Sequence, residues 1–349
     1  MDRVRPARVT DLEGLLHLAT LAGFGLTTLP RDPEFLRKRL LDSDRSFAHD
    51  IDEPRGEPYL FVLESGADGA VLGTSAIWSK VGGFEPFYAY RLETARHESK
   101  MLGVLKEIPV LHLAREHSGP CDVGGLFLAP AARAGGRGRL LSLARFLFMA
   151  EHPRPFDPEV ISEIRGVSDE HGVSPFWEGL GRHFFDIDFP KADYLSLLNK
   201  RFIADLMPVH PIYIPLLPPA AQEVIGEPHP MSRGALKMLE AEGFRRSRMV
   251  DVFDAGPVIH ARLEDIRTVR ESVRAKVETL ADEPPSGDER LVCRAAAKGE
   301  FRAVATTVAL TRDVGVVLSR AAAERLEVKV GDHVRFAPSR GAAGGESGS

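Results

Sequence analysis

Residues 126–151 read LFLAPAARAGGRGRLLSLARFLFMAE. A short apolar strand ends at Pro130, a loop with Arg133, Gly136 and Gly138 follows, and the apolar residues from Leu140 onwards have helical spacing. The first N–H groups of a helix lack intrahelical partners and carry partial positive charge, so a glycine-rich turn into a helix can bind an anion. Glycine also lets the backbone come close to a pyrophosphate.

The loop by itself leaves two interpretations open, an anion-binding turn and an ordinary strand-to-helix turn. It is neither a dinucleotide fingerprint nor a P-loop, because G-x-G-x-x-G is absent and no G-K-[ST] follows. The R-x-x-G-x-G spacing of Arg133, Gly136 and Gly138 resembles the coenzyme A loop of the GNAT acyltransferase superfamily. The resemblance implies that these three residues bind CoA.

Length and composition limit the class of protein. The chain has 349 residues, 44% apolar and 27% charged, which is typical of a globular enzyme with two domains or one large one. A formal net charge of −5 disfavours nucleic-acid binding. Cys121 and Cys293 are too few for a disulfide framework and show no metal-ligand spacing. Without a signal peptide or a membrane-length apolar run, we expect a cytoplasmic protein with no metal site and no membrane partner.

The pattern along the chain predicts an α/β protein with a mixed (α+β) sheet. Strand and helix signals follow one another in the order β-α-β-β-β-α-β-α, with elements at 4–7, 12–19, 59–63, 71–77, 110–113 continued by 125–128, 140–148, 160–167 and 175–180. This is the order of the GNAT-like acyl-CoA N-acyltransferase fold. A further helix over 235–244 indicates either a partial internal duplication or an additional αβ unit.

Changes in composition predict five parts. We expect a GNAT-like acyl-CoA-binding unit over 1–200 and a second αβ unit over 201–281 that completes the active site. A linker over 282–290 leads to a small β-rich module over 291–338, and a glycine- and serine-rich, disordered tail over 339–349 follows.

Longer segments resemble the arginine N-succinyltransferase family as far as about residue 270. They lie at 25–30, 126–150, 165–177, 202–208, 210–213, 224–230 and 251–257. The resemblance implies transfer of succinyl from succinyl-CoA to the α-amine of L-arginine, the first step of the succinyltransferase route of arginine catabolism. Succinyl-CoA is then a co-substrate, no cofactor is bound permanently, and homo- and hetero-oligomers are both compatible. An acceptor such as ornithine, or a non-catalytic GNAT-like subunit, is the alternative.

The implied reaction needs a group that moves a proton, because an amine attacks a thioester only when it is unprotonated. His112 lies within a strand pattern, which favours a structural role. His171 follows a strand end, where loops often carry function, so a place in the site and an ordinary loop position both stay open for it. The family's proton donor falls in a V-I-G-x-x-H-P motif that matches 224–230, which implies a catalytic role for His229. The family also implies that Leu126 binds succinyl-CoA, while a buried strand leucine is the simpler explanation of that residue.

The charged ends of the two substrates need partners as well. Arg91, Arg165 and Arg182 are candidates for the carboxylates of succinate and arginine. Asp169 and Glu170 are candidates for the substrate guanidinium. For each of the five, an ordinary surface charge is the alternative.

Overall fold

The computed structural model describes residues 1–22, 28–312 and 315–341. Its strands are β1 (Arg3–Pro6), β2 (Pro58–Glu64), β3 (Val71–Trp78), β4 (Gly82–Ser99), β5 (Val104–Ser118), β6 (Cys121–Leu128), β7 (Glu159–Glu163), β8 (Ile212–Tyr213), β9 (Arg245–Val250), β10 (Pro257–Arg262), β11 (Val273–Ala281), β12 (Glu289–Arg294), β13 (Ala303–Thr307), β14 (Ala309–Leu310), β15 (Val316–Ser319) and β16 (His333–Pro338). Its α-helices are α1 (Leu12–Ala22), α2 (Pro33–Ala48), α3 (Arg137–Glu151), α4 (Arg182–Phe185), α5 (Phe189–Leu198), α6 (Arg201–Leu206), α7 (Pro219–Glu223), α8 (Arg233–Ala241), α9 (Arg267–Arg270) and α10 (Arg320–Leu326).

Within the described residues the strands form one 16-stranded mixed sheet, in the order β14-β15-β11-β16-β12-β13-β1-β2-β3-β6-β7-β10-β9-β4-β5-β8. The predicted hairpin is confirmed, because β2 and β3 pair antiparallel from Pro58 opposite Trp78 to Glu64 opposite Val71. The predicted α/β fold with a mixed sheet is confirmed as well, with β6, a glycine loop, α3 and β7 in the expected succession.

The central strand β2 is buried on both faces, which explains its continuous apolar sequence. Tyr59 and Phe61 face the core beneath α3, whereas Leu60 and Val62 face the core beneath α1 and α2. This division follows from the alternation of side chains along a strand. Helices therefore cover both sides of the sheet at its centre.

Helix α3 is buried along almost its whole length. Every residue from Leu140 to Met149 is buried, including Arg145. A helix that is apolar nearly all round must be enclosed by other elements. Here Phe148 contacts the ring of Phe61 at 5.2 Å, and Phe146 contacts Phe244 at 5.8 Å.

The structure contains a long hairpin, β4 and β5, of which the sequence predicts only 110–113. The two strands pair from Phe87 opposite Glu116 to Ser99 opposite Val104. At its base the hairpin joins the sheet through β9 and covers a second apolar core that includes Trp177.

Two predicted elements have different bounds in the structure. The strand expected over 160–167 ends at Glu163: the N–H of Ile164 still donates to Pro257 O of the neighbouring strand β10 at 3.0 Å, and beyond it Gly166 forms an isolated bridge with Pro228. The helix expected over 235–244 is α8, which ends at Ala241, and β9 and β10 after it extend the same sheet.

The C-terminal strands continue the main sheet through β13, where Ala303 pairs with Val4. Phe301 lies in the main core, 5.7 Å from Phe61 and 5.2 Å from Phe148 between ring centres. Strand β11, which the predicted division assigns to the second αβ unit, pairs with β15 and β16. Residues 282–288 thus connect two strands of the C-terminal group, contrary to the predicted boundary. Residues 25–27 of the family resemblance and 342–349 of the predicted tail lie outside the described residues.

Candidate active site

The parallel strands β6 and β7 pair only briefly. Cys121 is opposite Val160 and Asp122 is opposite Ile161, and beyond these pairs the strands separate. A cavity of about 210 Å³ occupies the gap, lined by residues 122–126 on one side and 162–165 on the other. Ligands of α/β proteins commonly bind beyond the carboxyl ends of strands, where backbone groups are accessible.

A β-bulge in β6 lies against this cavity. Between the pairs Thr74–Phe127 and Ala76–Gly124, both Gly125 and Leu126 stand opposite a single residue of β3. Gly125 has a φ of 60°, which glycine adopts without strain. A bulge leaves one residue out of the hydrogen-bond ladder. Leu126 lines the cavity and its side chain packs on the main core, so a binding role and a packing role are compatible.

The glycine loop after β6 is open on its outer side. Gly136 caps α3 with a φ of 76° and offers no side-chain hydrogen bond to the first helical turn. A Cβ added to Gly136 would meet no atom within 4 Å, and one added to Gly138 would meet only Leu128, at 3.9 Å. The exposed Arg133 guanidinium donates to Leu128 O at 3.1 Å. Leu126 lines the cavity, and Arg133, Gly136 and Gly138 follow it on the loop that leads into α3, where an anion would meet the first amides of the helix.

His229 is fixed beside the cavity by its backbone. Its N–H donates to Arg165 O at 2.8 Å, and its Nδ1 accepts the Met231 N–H at 3.2 Å, which places the ring proton on Nε2. Partial burial, with the nearby Arg165 charge, lowers the pKa of His229 from its ordinary value. Arg165 and Ser232 line the cavity, and His229 is not among its lining residues.

Four carboxyl groups line both this cavity and an adjoining one of about 270 Å³: Asp122, Glu163, Asp193 and Asp251, here called the acidic wall. Burial raises the pKa of Asp122 to about 7 and that of Asp193 to about 8. Burial also raises the pKa of Asp251. The sequence did not predict the acidic wall, because its four residues lie on separate elements. Its one local indication was Asp122, an aspartate inside the apolar strand β6.

Several other charged groups line the two cavities. They are Arg39, Arg145, Arg165, Lys200, Glu85 and Asp254. Arg145 uses its guanidinium on Ser142 O and Oγ, both at 2.9 Å, and on Gly124 O at 3.1 Å. Among residues 1–22, 28–312 and 315–341, none of the four wall carboxylates forms an ion pair within 4.0 Å.

Of the three arginines predicted to bind carboxylates, only Arg165 lines the cavity. Arg91 and Arg182 lie on the surface, where each has a glutamate carboxylate at 3.1 Å, Glu116 and Glu178 respectively. The structure accounts for both as surface ion pairs.

The predicted guanidinium ligands do not reach the cavity either. The Asp169 carboxylate accepts the N–H groups of His171 and Val173 at 2.9 and 2.8 Å. Glu170 and His171 are exposed and lie next to each other. His112 lies on the hairpin, 3.4 Å from a Glu93 carboxylate oxygen. The loop at 169–173 is therefore ordered by its own hydrogen bonds.

Two features bear on other chemistries. Cys121 and Cys293 are buried free thiols, and burial raises the pKa of each, which makes them poor nucleophiles. In the part of the chain that the structure describes, no three His, Cys, Asp or Glu side chains are placed to hold a metal ion together. Nor does any helix there have the length and apolar character needed to cross a membrane.

Comparison with known proteins identifies the family. The profile described as "Arginine N-succinyltransferase beta subunit" matches residues 2–268, and the profile of that subunit's C-terminal domain matches residues 273–338. The chain belongs to the arginine N-succinyltransferase family. The match continues beyond residue 270, where the sequence resemblance had been expected to end.

Relatives of the arginine N-succinyltransferase family match over nearly the full length. Arginine N-succinyltransferases of Salmonella schwarzengrund (strain CVM19633) and Salmonella agona (strain SL483) are each 41% identical over 340 residues, 96% of this chain and 97% of theirs. Subunit AI of the arginine/ornithine succinyltransferase from Pseudomonas aeruginosa superimposes with a TM-score of 0.89 and 38% identity, over 98% of this chain and 99% of that one. The predicted family and the predicted class of enzyme, an acyltransferase, are confirmed.

Proposed function

We propose that this chain transfers the succinyl group of succinyl-CoA to the α-amine of L-arginine. The observation that carries the proposal is the cleft between β6 and β7, with the bulge at 125–126 on its wall and the open glycine loop directly after β6 in the chain. Membership of the arginine N-succinyltransferase family supports the choice of substrates.

In the proposed reaction the glycine loop binds the donor. The CoA pyrophosphate lies against the backbone amides at Gly136 and Gly138, where α3 adds partial positive charge. The thioester then reaches the bulge at Leu126, where a backbone N–H left out of the ladder donates to the oxygen that becomes negative. Arg133 supplies a positive charge beside the same loop.

His229 handles the proton in this scheme. Attack by the amine leaves a proton on nitrogen that passes to water, and the departing CoA thiolate needs one. The ring donates its Nε2 proton to the thiolate while Nδ1 takes up the proton from water. The bond from Met231 N–H to Nδ1, at 3.2 Å, is at the long end of the range for such bonds, so it is easily exchanged.

The choice of substrates is tested by measuring CoA release with two donors and three acceptors. We expect the highest kcat/KM with succinyl-CoA and arginine, and a product heavier than arginine by one succinyl group. Ornithine is the second candidate acceptor, because the solved relative is titled an arginine/ornithine succinyltransferase. Lysine is the third acceptor, and acetyl-CoA is the alternative donor. Faster turnover with acetyl-CoA, or CoA release that no acceptor accelerates, would overturn the proposal.

We further propose that the chain acts in the cytoplasm, which supplies succinyl-CoA, and as part of an oligomer. The oligomer is suggested by the solved relative's designation as subunit AI and by the profile's description as a beta subunit. Light scattering on the purified chain measures its mass, and a value of one chain at all concentrations would contradict a homo-oligomer.

A further inference from the structure

We propose that the acidic wall binds the cationic end of the acceptor amino acid, the guanidinium in the case of arginine. The inference rests on the proposed function, since it names the part of the acceptor that the inner end of the cleft recognises. Its members come from four separate segments: β6, β7, α5 and the turn after β9. Two adjoining cavities share them, so all four side chains border one connected space, in which Asp122 is buried, Asp193 and Asp251 are half-buried and Glu163 is exposed.

The wall lies at the end of the cleft away from the glycine loop. Asp122 stands where β6 and β7 are still paired, whereas the bulge at 125–126 and the loop follow further along β6. Three residues of a strand span about 10 Å, a distance that an extended arginine side chain and an aspartate side chain cover together. An acceptor with its α-amine at the bulge therefore directs its side chain to the wall.

Asp122 has an unused acceptor. The residue is only 8% exposed, and its Oδ1 has no hydrogen-bond partner among the described residues. A buried carboxylate without partners is costly, so such groups are normally satisfied by a proton, a cation or a ligand. The nearby cation Arg145 uses its donors on backbone carbonyls and a serine hydroxyl. Asp122 lines both cavities, where a ligand would supply the missing donor.

The fifth carboxyl of the cavity shows what a structural role looks like here. Asp254 accepts the N–H groups of Gly166 and Gly256 at 2.7 and 2.8 Å, one on each oxygen, and so fixes two loops. Asp251 is intermediate, because one of its oxygens accepts two backbone N–H groups of its own turn. No such bond ties down Asp122 or Asp193 in the part of the chain that the structure describes.

The chemistry of a guanidinium fits this surface. It keeps its charge at all relevant pH values and presents five N–H donors in a fixed planar fork. Several carboxylates approaching from different elements can satisfy those donors. A neutral side chain of the same shape would leave the carboxylates unpaired, so the wall would reject it.

The test compares arginine with citrulline, which has the same shape but carries a neutral urea in place of the guanidinium. We expect Asp193→Asn and Asp122→Asn to lower kcat/KM for arginine about 10- to 100-fold, mainly through KM, as expected for lost hydrogen bonds to a charged group. Activity with citrulline should stay the same or rise. Asp288→Asn removes the same charge from the exposed turn between β11 and β12 and should change neither value.

Three results would overturn the inference. Equal losses of kcat with both acceptors would mean that the wall acts on the α-amine. Equal losses of activity with both acceptors, together with a lower thermal midpoint, would mean a structural role. A ligand-binding role predicts an unchanged or raised thermal midpoint instead, because Asn removes a buried charge. If Asp122→Asn fails to fold, Glu163→Gln replaces it. An unchanged ratio of kcat/KM for arginine to that for citrulline in Glu163→Gln and in Asp193→Asn would equally refute the inference.

Failure of the proposed function would look different. The wild-type protein would then release no CoA with any acceptor, while calorimetry could still measure arginine binding. Tighter binding of arginine than of citrulline, lost in Asp193→Asn, would keep the wall as a guanidinium site in a protein with another reaction. Equal binding of the two ligands by the wild-type protein would refute the wall.

Discussion

Replacing Gly136 by alanine separates CoA binding from backbone strain, because the fold contains a matched control. Gly136 and Gly69 both have a φ of 76°, and a Cβ at either position meets nothing within 4 Å. Gly69 lies in the turn between β2 and β3, away from the cleft. Alanine at a left-handed position costs about 1–2 kcal/mol, so both variants should be destabilised alike. In a chain of this size, that cost lowers the thermal midpoint by no more than about 4 °C per kcal/mol.

Only Gly136→Ala should change the use of succinyl-CoA. The new methyl group enters the open space above the first turn of α3, where the pyrophosphate is proposed to lie. Loss of one hydrogen bond to a charged group costs about 1.5–3 kcal/mol, which corresponds to roughly a 10- to 150-fold rise in KM.

The assay is the initial rate of CoA release with succinyl-CoA varied at saturating arginine. We expect the KM for arginine to stay within a factor of two or so in both variants, since the acceptor binds elsewhere in the cleft. If Gly136→Ala and Gly69→Ala have the same KM for succinyl-CoA at equal stability, the glycine loop is an ordinary turn and the reasoning fails.

Four other predictions concern the site and the sheet. His229→Gln should lower kcat by about 10²- to 10⁴-fold with little change in thermal midpoint, because Gln keeps a hydrogen bond but cannot titrate; steady-state rates that stay near the wild-type value would show that His229 does not transfer a proton. Arginine binding at pH 7 should release protons, because the pKa values of Asp122 and Asp193 are raised to about 7 and about 8 and a bound cation lowers both. Calorimetry in two buffers of different ionisation enthalpy measures the release. Equal binding heats in the two buffers would count against it. The KM for arginine should also decrease as the pH is raised from about 6 to about 8, because both carboxyls lose their protons over that range and the carboxylates bind the cation more tightly. A chain truncated after residue 288 should aggregate, since it loses Phe301 from the main core and exposes the edge of β1; a soluble truncated chain with native circular dichroism would show that the strands after 288 are dispensable.

Local patterns in the sequence predicted the strand, the glycine loop and the helix because these parts are close along the chain. The strand, the glycine loop and α3 occupy a single stretch from 121 to 151, and periodicity and glycine spacing describe each of them. The same holds for His229, which lies in one short motif.

The acidic wall could not be predicted in this way. Asp122 and Asp251 are more than a hundred residues apart and meet only after the sheet has formed. An isolated aspartate has no periodic pattern, whereas Asp169 and Glu170 form a visible pair that the structure leaves exposed. The hairpin of β4 and β5 was missed for a related reason: much of its surface is exposed, so its apolar residues do not alternate along its full length.

Helix α3 belongs to the segment matched by the first family profile, and it packs against the C-terminal segment matched by the second. Its first turn forms the proposed CoA cradle, while its last turns lie against the C-terminal strands: Phe148 contacts Phe301, and Glu151 holds Arg335 at 2.8 Å. A substitution in the C-terminal segment that shifts the last turns of α3 therefore also shifts its first turn, because the helix is rigid. A change in side-chain size or shape on either side of this contact displaces α3, so the two segments can change there only together.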